Sequence, residues 1–255
     1  MKLRRLRGYS ATLAVMALLW HAASALLGSS LLPGPLSVLE RLGEEAVQVS
    51  FWSHAAVSFF RICAGLAAAF ITAVPLGLAL GSSRRLDRFF APFVYLSYPV
   101  PKIVLLPVVL VLFGLGNTSK IVLIAMIIFF QLLITTRDSS RQIEAEVVYS
   151  LKSIGGGRWD LFRHVVWPVS LPGIFTSLRI GTGTAVAVLF FVESIGTRRG
   201  LGLYIIDSWG RADYTGMFVG ITAMSVMGIL LYEFFDLLEK RLCLWKEIQS
   251  GVTPL

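Results

Sequence analysis

Arg141–Pro172, RQIEAEVVYSLKSIGGGRWDLFRHVVWPVSLP, is where a long run of membrane-grade sequence turns polar, with hydrophobic blocks on both sides. Ile143, Val147, Leu151 and Ile154 recur at three- and four-residue steps, while Arg141, Gln142, Glu144, Glu146 and Lys152 fall mostly elsewhere. That is the period of an amphipathic helix. Gly155, Gly156 and Gly157 stop it, because glycine weakens a helix and permits a sharp turn. A second short helix is expected next, with Trp159, Phe162 and Val166 on one side, ending near Pro168. Apolar stripes hung between membrane spans on the wet side have little core to join. They read as a surface for a partner.

Composition points the same way. The chain has 255 residues, 56% of them hydrophobic and 15% charged, with a mean hydropathy of +0.75. Soluble domains carry about 25% charged residues, so this is read as a membrane protein. The net charge of +8 does not indicate nucleic acid, because the basic residues are scattered among apolar blocks without a continuous basic face. Cys63 and Cys243 lack a second cysteine or a histidine at ligand spacing, which argues against a disulfide or a metal site and for buried thiols. His21, His54 and His164 are far apart and are read as structural. Without internal repeats or linkers, residues 1–255 are expected to form one domain.

Working outward, six spans are expected. Lys2, Arg4, Arg5 and Arg7 precede an apolar run from about Ala11 to Leu32. A signal peptide's apolar core is about 7–15 residues, so a retained first span is preferred over cleavage near Ala22–Ala25. Pro33, Gly34 and Pro35 break it. Leu36, Leu39, Leu42 and Ala46 then form a short amphipathic pattern suited to lying along a membrane surface. Span two covers about Val57–Leu80, where Gly65, Ala67, Ala68 and Ala69 allow close helix contact. Span three, about Phe89–Phe113, is interrupted by Pro99, Pro101 and Pro107, prolines tolerated where protein re-satisfies the freed carbonyls. Spans four, five and six cover about Ile121–Thr136, Leu171–Val192 and Met217–Leu237. Each is near the roughly 20 residues that cross a hydrocarbon core of about 30 Å.

Lysines and arginines orient these spans. With a cytoplasmic amino terminus, the inner segments hold Lys2, Arg4, Arg5, Arg7, Arg84, Arg85, Arg88, Arg137, Arg141, Lys152, Arg158, Arg163, Lys240, Arg241 and Lys246. The outer segments hold only Arg41, Lys120, Arg198, Arg199 and Arg211. Fifteen against five satisfies the positive-inside rule. Both termini and Arg141–Pro172 are thus expected to be cytoplasmic, and Glu193–Gly216 to face outward.

Gly155, nine residues, then Val165-Val-Trp-Pro168 resembles the cytoplasmic loop of binding-protein-dependent ABC importer permeases, EAA-x3-G-x9-I-x-L-P. The nitrate, sulfonate and taurine branch is similar also at His54-AAVSFFRICAG, Pro75-LGLALG, Pro99-VPKIVLLPVVLVLFGLG, Glu193-SIGTRRGLGLYI and Leu238-EKRLCLW. The resemblance covers about residues 54–245. One departure stands out: the family's Glu-Ala-Ala positions are Tyr149, Ser150 and Leu151 here, so the signature glutamate is absent.

The resemblance implies an all-α inner-membrane permease of a bacterial cell, multi-pass, with short coupling helices between spans four and five. It implies a cytoplasmic ABC ATPase dimer, a second permease copy in a homodimer, and an extracytoplasmic solute-binding protein. ATP and Mg would sit on the ATPase; the chain has no Gly-rich lysine loop of its own and is not expected to be an enzyme. The solute would be small and anionic, such as a sulfonate, taurine or nitrate, or else a different small solute such as a vitamin precursor. Carried onto this sequence, ATPase coupling falls on Tyr149, Ser150, Gly155, Gly156, Arg158, Trp159, Phe162 and Pro168. From the residues themselves, the translocation path is read on Pro99, Pro101, Thr182, Thr184 and Glu193, where the prolines serve equally as packing kinks and such threonines also glue helices together, and binding-protein docking on Arg198 and Arg199.

Single residues leave alternatives. Glu193, costly at about 2.5–3.5 kcal/mol if central in lipid, is either a path residue or an interfacial carboxylate paired with Arg198 or Arg199. Lys102 and Arg179 read as snorkelling to head groups, and Arg61 reads equally as snorkelling or as attracting an anion. A stand-alone secondary transporter would need intramembrane carboxylates and inverted repeats. Between about Ala11 and Val192 no span interior holds an Asp or Glu. A hydrolase would need a motif such as G-x-S-x-G or H-E-x-x-H, and neither occurs.

Overall fold

The computed structural model describes residues 2–245. Lys246, counted above with the inner charges, lies outside the described residues. The elements are α1 (Lys2–Leu27), α2 (Pro35–Ala46), α3 (Val49–Ser82), α4 (Arg84–Ser97), a 3-10 turn (Lys102–Leu105), α5 (Leu106–Phe113), α6 (Asn117–Arg141), α7 (Ala145–Ser153), α8 (Arg158–Leu161), a π-helical turn (Phe162–Val166), α9 (Trp167–Glu193), α10 (Leu201–Gly210) and α11 (Tyr214–Leu242). The described chain is all-α.

Among the described residues, four helices are long and apolar enough to cross a membrane: Val49–Ser82, Asn117–Arg141, Arg158–Glu193 and Tyr214–Leu242. A fifth crossing is available if the broken pair Arg84–Ser97 and Lys102–Phe113, bent by 79°, is one span. In α1 the apolar helical part is only Ala14–Leu27. The run expected to reach Leu32 leaves the helix after Leu27, where a turn at Gly28 is closed by Ser24 Oγ donating to the Leu32 carbonyl at 2.6 Å.

Two compact units are present. The first comprises the chain up to Ser58 together with Glu193–Ser225; the second comprises Phe59–Val192 and the chain from Val226 on. In the second unit the core gathers Val74 and Leu78 of α3, Leu132 and Leu133 of α6, and Leu171, Ile174 and Leu178 of α9. Lipid tails are as apolar as leucine, so such helices gain by close packing and polar contacts rather than by burial from water. The small-residue face expected on α3 is used in this way: at Gly65 a Cβ would lie 2.6 Å from Ile124 on α6, so only glycine allows this approach. Gly65 and Ala69 are buried, whereas Ala67 is exposed.

The proline-rich break between α4 and α5 exposes carbonyls that lipid cannot satisfy. Lys102 satisfies them. Its Nζ donates to the carbonyls of Ser97, Tyr98 and Val100 at 2.7, 2.8 and 3.1 Å, and stands 4.3 Å from the Phe130 ring centroid. Lys102 is therefore folded inward, not snorkelling. Arg179 is likewise spoken for: it pairs with Asp236 and, at 2.8 Å, with Glu239, tying α9 to α11. Arg61 is buried and donates to Asn117 Oδ1 at 2.9 Å, which neither earlier reading foresaw. At the other end of α6, buried Arg137 pairs with Asp87 of α4 and donates to Tyr95 Oη at 3.1 Å. Cys243 is buried and Cys63 partly so, and neither is in a disulfide.

In the first unit, Pro35 occupies the first turn of α2, where its missing N–H costs nothing. Val38 and Glu45 face inward, while Leu36 and Leu39 stay exposed. Trp20 packs on Phe218 at 5.8 Å and donates from Nε1 to the Pro33 carbonyl at 3.0 Å.

Candidate functional site

The polar stretch 141–172 forms a helix–turn–helix surface. Its first helix is shorter than the periodicity suggests: Arg141 closes α6 and α7 begins at Ala145. The glycine stop is realised in detail. Gly155 adopts φ +83, its N–H donates to the Lys152 carbonyl and that of Gly156 to the Leu151 carbonyl, each at 3.0 Å. These are the paired bonds of a Schellman cap, which requires a left-handed residue at Gly155. Gly156 is needed for space, since a Cβ there would fall 2.8 Å from the Leu151 carbonyl oxygen.

The second helix departs from expectation. It does not end near Pro168 but runs on into α9, so Arg158–Glu193 is one helical rod of 36 residues. The reason lies just before the proline. Residues Phe162–Val166 are wound as a π turn, with Trp167 N–H reaching back five residues to the Phe162 carbonyl. That wider turn leaves room for the Pro168 ring.

This surface displays apolar groups. Tyr149 is 69% exposed, Ile154 82% and Trp159 67%, while Phe162, at 36%, stacks on Trp159 with centroids 5.5 Å apart and packs towards Trp167 at 6.4 Å. Ser150 donates to the Glu146 carbonyl at 2.8 Å, and Arg158 is exposed. The eight residues expected to couple thus lie on one continuous segment: an anchored turn, an aromatic ladder and a rigid continuation into a membrane-length helix.

The residues expected along a path differ in exposure. Pro99 and Pro101 are exposed at the α4–α5 break. Thr182 is buried and donates to the Leu178 carbonyl at 2.9 Å, whereas Thr184 is exposed, as a two-residue step on a helix requires. Glu193 belongs to the first unit, where it is fully buried. Ser58 Oγ lies 2.9 and 2.7 Å from its two carboxylate oxygens, and Gly202 N–H donates to Oε2 at 2.9 Å. Leu201 N–H donates to Ser58 Oγ at 2.8 Å, and His54 Nδ1 lies 2.9 Å from the Gly200 carbonyl oxygen and 3.2 Å from the Gly200 nitrogen. His54 and Ser58 are one turn apart on α3, and together with Glu193 they hold the start of α10. Arg198 and Arg199 sit exposed on the loop just before it.

Sequence reasoning passed over Ser58, and it read Lys102 as snorkelling and His54 as structural. The four-residue spacing of His54 and Ser58 was visible, but its targets, Gly200 and Leu201, 146 and 143 residues later, were not. Asp236 and Glu239, at helical spacing on α11, carried a signal for a facing cation that went unread.

Membrane-length apolar helices bearing one exposed helix–turn–helix surface define a polytopic α-helical membrane protein. Comparison with known proteins gives the family. Residues 73–243 match the profile of the "Binding-protein-dependent transport system inner membrane component", and the chain belongs to that family. Among its relatives are the taurine transport system permease protein TauC of Escherichia coli strain K12, 32% identical across 92% of this chain and 88% of that protein. The riboflavin transport system permease protein RibX of Chloroflexus aurantiacus is 30% identical across 94% and 90%. The aliphatic sulfonates permease protein SsuC of Bacillus subtilis, itself a tentative assignment, is 26% identical across 93% and 87%. A chain of the MetNI methionine ABC transporter in an inward-facing conformation shares the fold, with a TM-score of 0.63 over 74% of this chain and 94% of that one, at 16% identity. The protein is thus a membrane component of a binding-protein-dependent transport system, and the relatives named here are transport permeases.

Proposed function

We propose that residues 1–255 form a single permease domain that builds the solute path of a bacterial inner-membrane importer and is driven by a separate cytoplasmic ABC ATPase dimer, which holds the ATP and Mg2+. Two copies of the chain pair to enclose the path, and an extracytoplasmic binding protein delivers the solute. Six spans are counted by taking α1 as the first and α4–α5 as the third, with both termini cytoplasmic as the lysines and arginines favour. The observation that carries this reading is the exposed aromatic ladder on a helix that continues unbroken into α9. A push on Trp159 is then delivered along a rigid rod rather than lost in a hinge.

Coupling is assigned to Tyr149, Ser150, Gly155, Gly156, Arg158, Trp159, Phe162 and Pro168. With tyrosine at the signature glutamate position, aromatic packing replaces a charged contact. Pro99, Pro101, Thr182 and Thr184 are assigned to the path. Arg198 and Arg199, on the exposed loop ahead of α10, are assigned to docking of the binding protein. The solute is a sulfonate, taurine or nitrate; similarity to the riboflavin permease keeps a vitamin or its precursor as the second reading.

The test is co-purification and uptake. Trp159→Ala and Gly155→Asp are expected to lose the ATPase and solute uptake while the chain still inserts and elutes as a folded species. Reversing the charge of both Arg198 and Arg199 is expected to abolish binding-protein docking with the ATPase retained. An intact ATPase complex in both coupling variants would refute the assignment.

A further inference from the structure

The second unit carries an apolar groove of about 430 Å3 between α3 and the π turn. Ile71, Pro75, Ala79 and Ser82 line one side of it, all exposed and spaced by four, four and three residues. That spacing is a single face of a helix. Phe162 and Trp167 line the other side. From Ile71 to Ser82 the face runs about 17 Å at a rise of about 1.5 Å per residue. One leaflet of a hydrocarbon core about 30 Å thick is about 15 Å deep. The groove therefore has the length and the chemistry of an extended acyl chain.

Its polar end selects the headgroup. α4 opens at Arg84, two residues after Ser82, and Arg84, Arg85 and Arg88 are all exposed. Asp87 is the only carboxylate between Ser83 and Ser97. It is buried and already paired with Arg137 and, at 3.1 Å, with Arg141. On the elements alongside, Asp138 contacts Arg137 at 3.3 Å. Asp160 accepts from Gly157 N–H at 2.9 Å and has Arg158 and Arg163 as exposed neighbours in the chain. Arginines outnumber carboxylates here even with every carboxylate paired. An anionic headgroup is answered at such a rim, whereas a choline headgroup brings a cation of its own.

We propose that this groove seats one acyl chain of an anionic phospholipid, with the headgroup phosphate held by Arg84 and Arg85. Phe162 stacks on Trp159, so the seated lipid braces the aromatic ladder against α3. Such a lipid requires only that the protein lie in a bilayer. It depends neither on the solute carried nor on which end of α3 is cytoplasmic.

The test reads Trp167 fluorescence of the full chain in phosphatidylcholine vesicles. Brominated-acyl phosphatidylglycerol or brominated-acyl phosphatidylcholine is added in matched amounts, and the Trp167 signal is the parent's less that of Trp167→Phe. Phosphatidylglycerol is expected to quench at a mole fraction lower by about fivefold or more, the effect of one basic residue at an anionic surface. Arg84→Gln together with Arg85→Gln, outside the span, should abolish that preference. Ala79→Phe, which fills the groove, should reduce quenching by both lipids. Lys152→Gln together with Arg241→Gln removes the same charge at other exposed positions and should keep the preference. Glycerol phosphate added in solution should not reverse the quenching. Equal quenching by the two lipids would overturn the lipid seat, as would loss of the preference in the Lys152 and Arg241 control. Reversal by glycerol phosphate, or full quenching in Ala79→Phe, would overturn it too. A changed oligomeric size in Ala79→Phe would mark the groove as a contact between copies of the chain and would equally refute lipid. Neither uptake nor ATPase binding enters the readout, so failure here leaves the permease reading standing.

Discussion

Ser58 Oγ accepts a hydrogen bond from Leu201 N–H at 2.8 Å and directs its own proton at the Glu193 carboxylate, 2.7 Å from Oε2. With Gly202 N–H donating to the same oxygen at 2.9 Å, this closes a ring of contacts around the first turn of α10. A carboxylate at a helix N-terminus answers backbone donors that have no partner within the helix. Glu193 therefore acts as a lock on the Gly200–Gly202 segment in addition to any part it takes in the solute path.

Removing the lock should be felt as instability. Glu193→Ala leaves the Ser58 hydroxyl and the Gly202 N–H buried without this acceptor, at about 1–3 kcal/mol for each unsatisfied group. A thermal melt of the detergent-solubilised chain should show a clear fall in Tm, and Ser58→Ala a smaller one. An unchanged Tm for Glu193→Ala would refute the lock.

Gly200 tests the same geometry from the backbone. It sits at φ +147, and a Cβ there would lie 2.5 Å from the Glu193 carboxyl carbon. Gly200→Ala should lose at least about 1–3 kcal/mol through backbone strain alone, with the clash adding to it. Gly183→Ala, on α9 with open space around it, serves as the control and should be neutral or better. Equal melting of the two variants would count against the described turn.

The break between α4 and α5 depends on one ammonium group. Lys102→Met keeps the length of the side chain but removes the donor to the Ser97, Tyr98 and Val100 carbonyls. The expected outcome is faster proteolysis at residues 97–105 and a loss of about 1–3 kcal/mol. Lys102→Arg, which retains donors, should recover part of it. Protease resistance equal to the parent in Lys102→Met would show that the break holds without it.

Tyr204 gives a pH signature. Burial foremost, and then the neighbouring Glu45, push its hydroxyl up to about 12 from an ordinary value near 10. A raised value means the folded state prefers the protonated phenol. Its contribution is therefore complete below pH 10 and is lost as pH climbs from 10 towards 12. The Tm of the parent should fall faster than that of Tyr204→Phe across this window. Parallel curves would contradict the shift.

Much of this protein follows from local pattern. The Gly155–Gly157 stop, the close contact at Gly65 and the interruption at Pro99–Pro101 all appear where residue type dictates them, because backbone conformation and side-chain volume act within a few residues. The periodicity of 143–154 likewise announced a helix with an apolar stripe, though α7 begins four residues after Arg141.

Pairing across the chain was not legible. Lys102 and Arg179 look from the sequence like residues reaching for head groups, since nothing nearby answers their charge. Arg179's partners, Asp236 and Glu239 on α11, meet it only once the chain has folded back, and Lys102 reaches the Ser97, Tyr98 and Val100 carbonyls only because the chain bends there. The same holds for Glu193, whose hydroxyl partner Ser58 lies 135 residues earlier in the chain.

The sequence by itself determined that this chain is helical and membrane-bound, and that Arg141–Pro172 presents a glycine-stopped helix to water. It did so because hydropathy, helical period and glycine's freedom are properties of short segments. Only the tertiary structure decided that the helix after the glycines runs through Pro168 as one rod into α9. A π turn's tolerance of proline depends on a register of backbone bonds that no residue type announces.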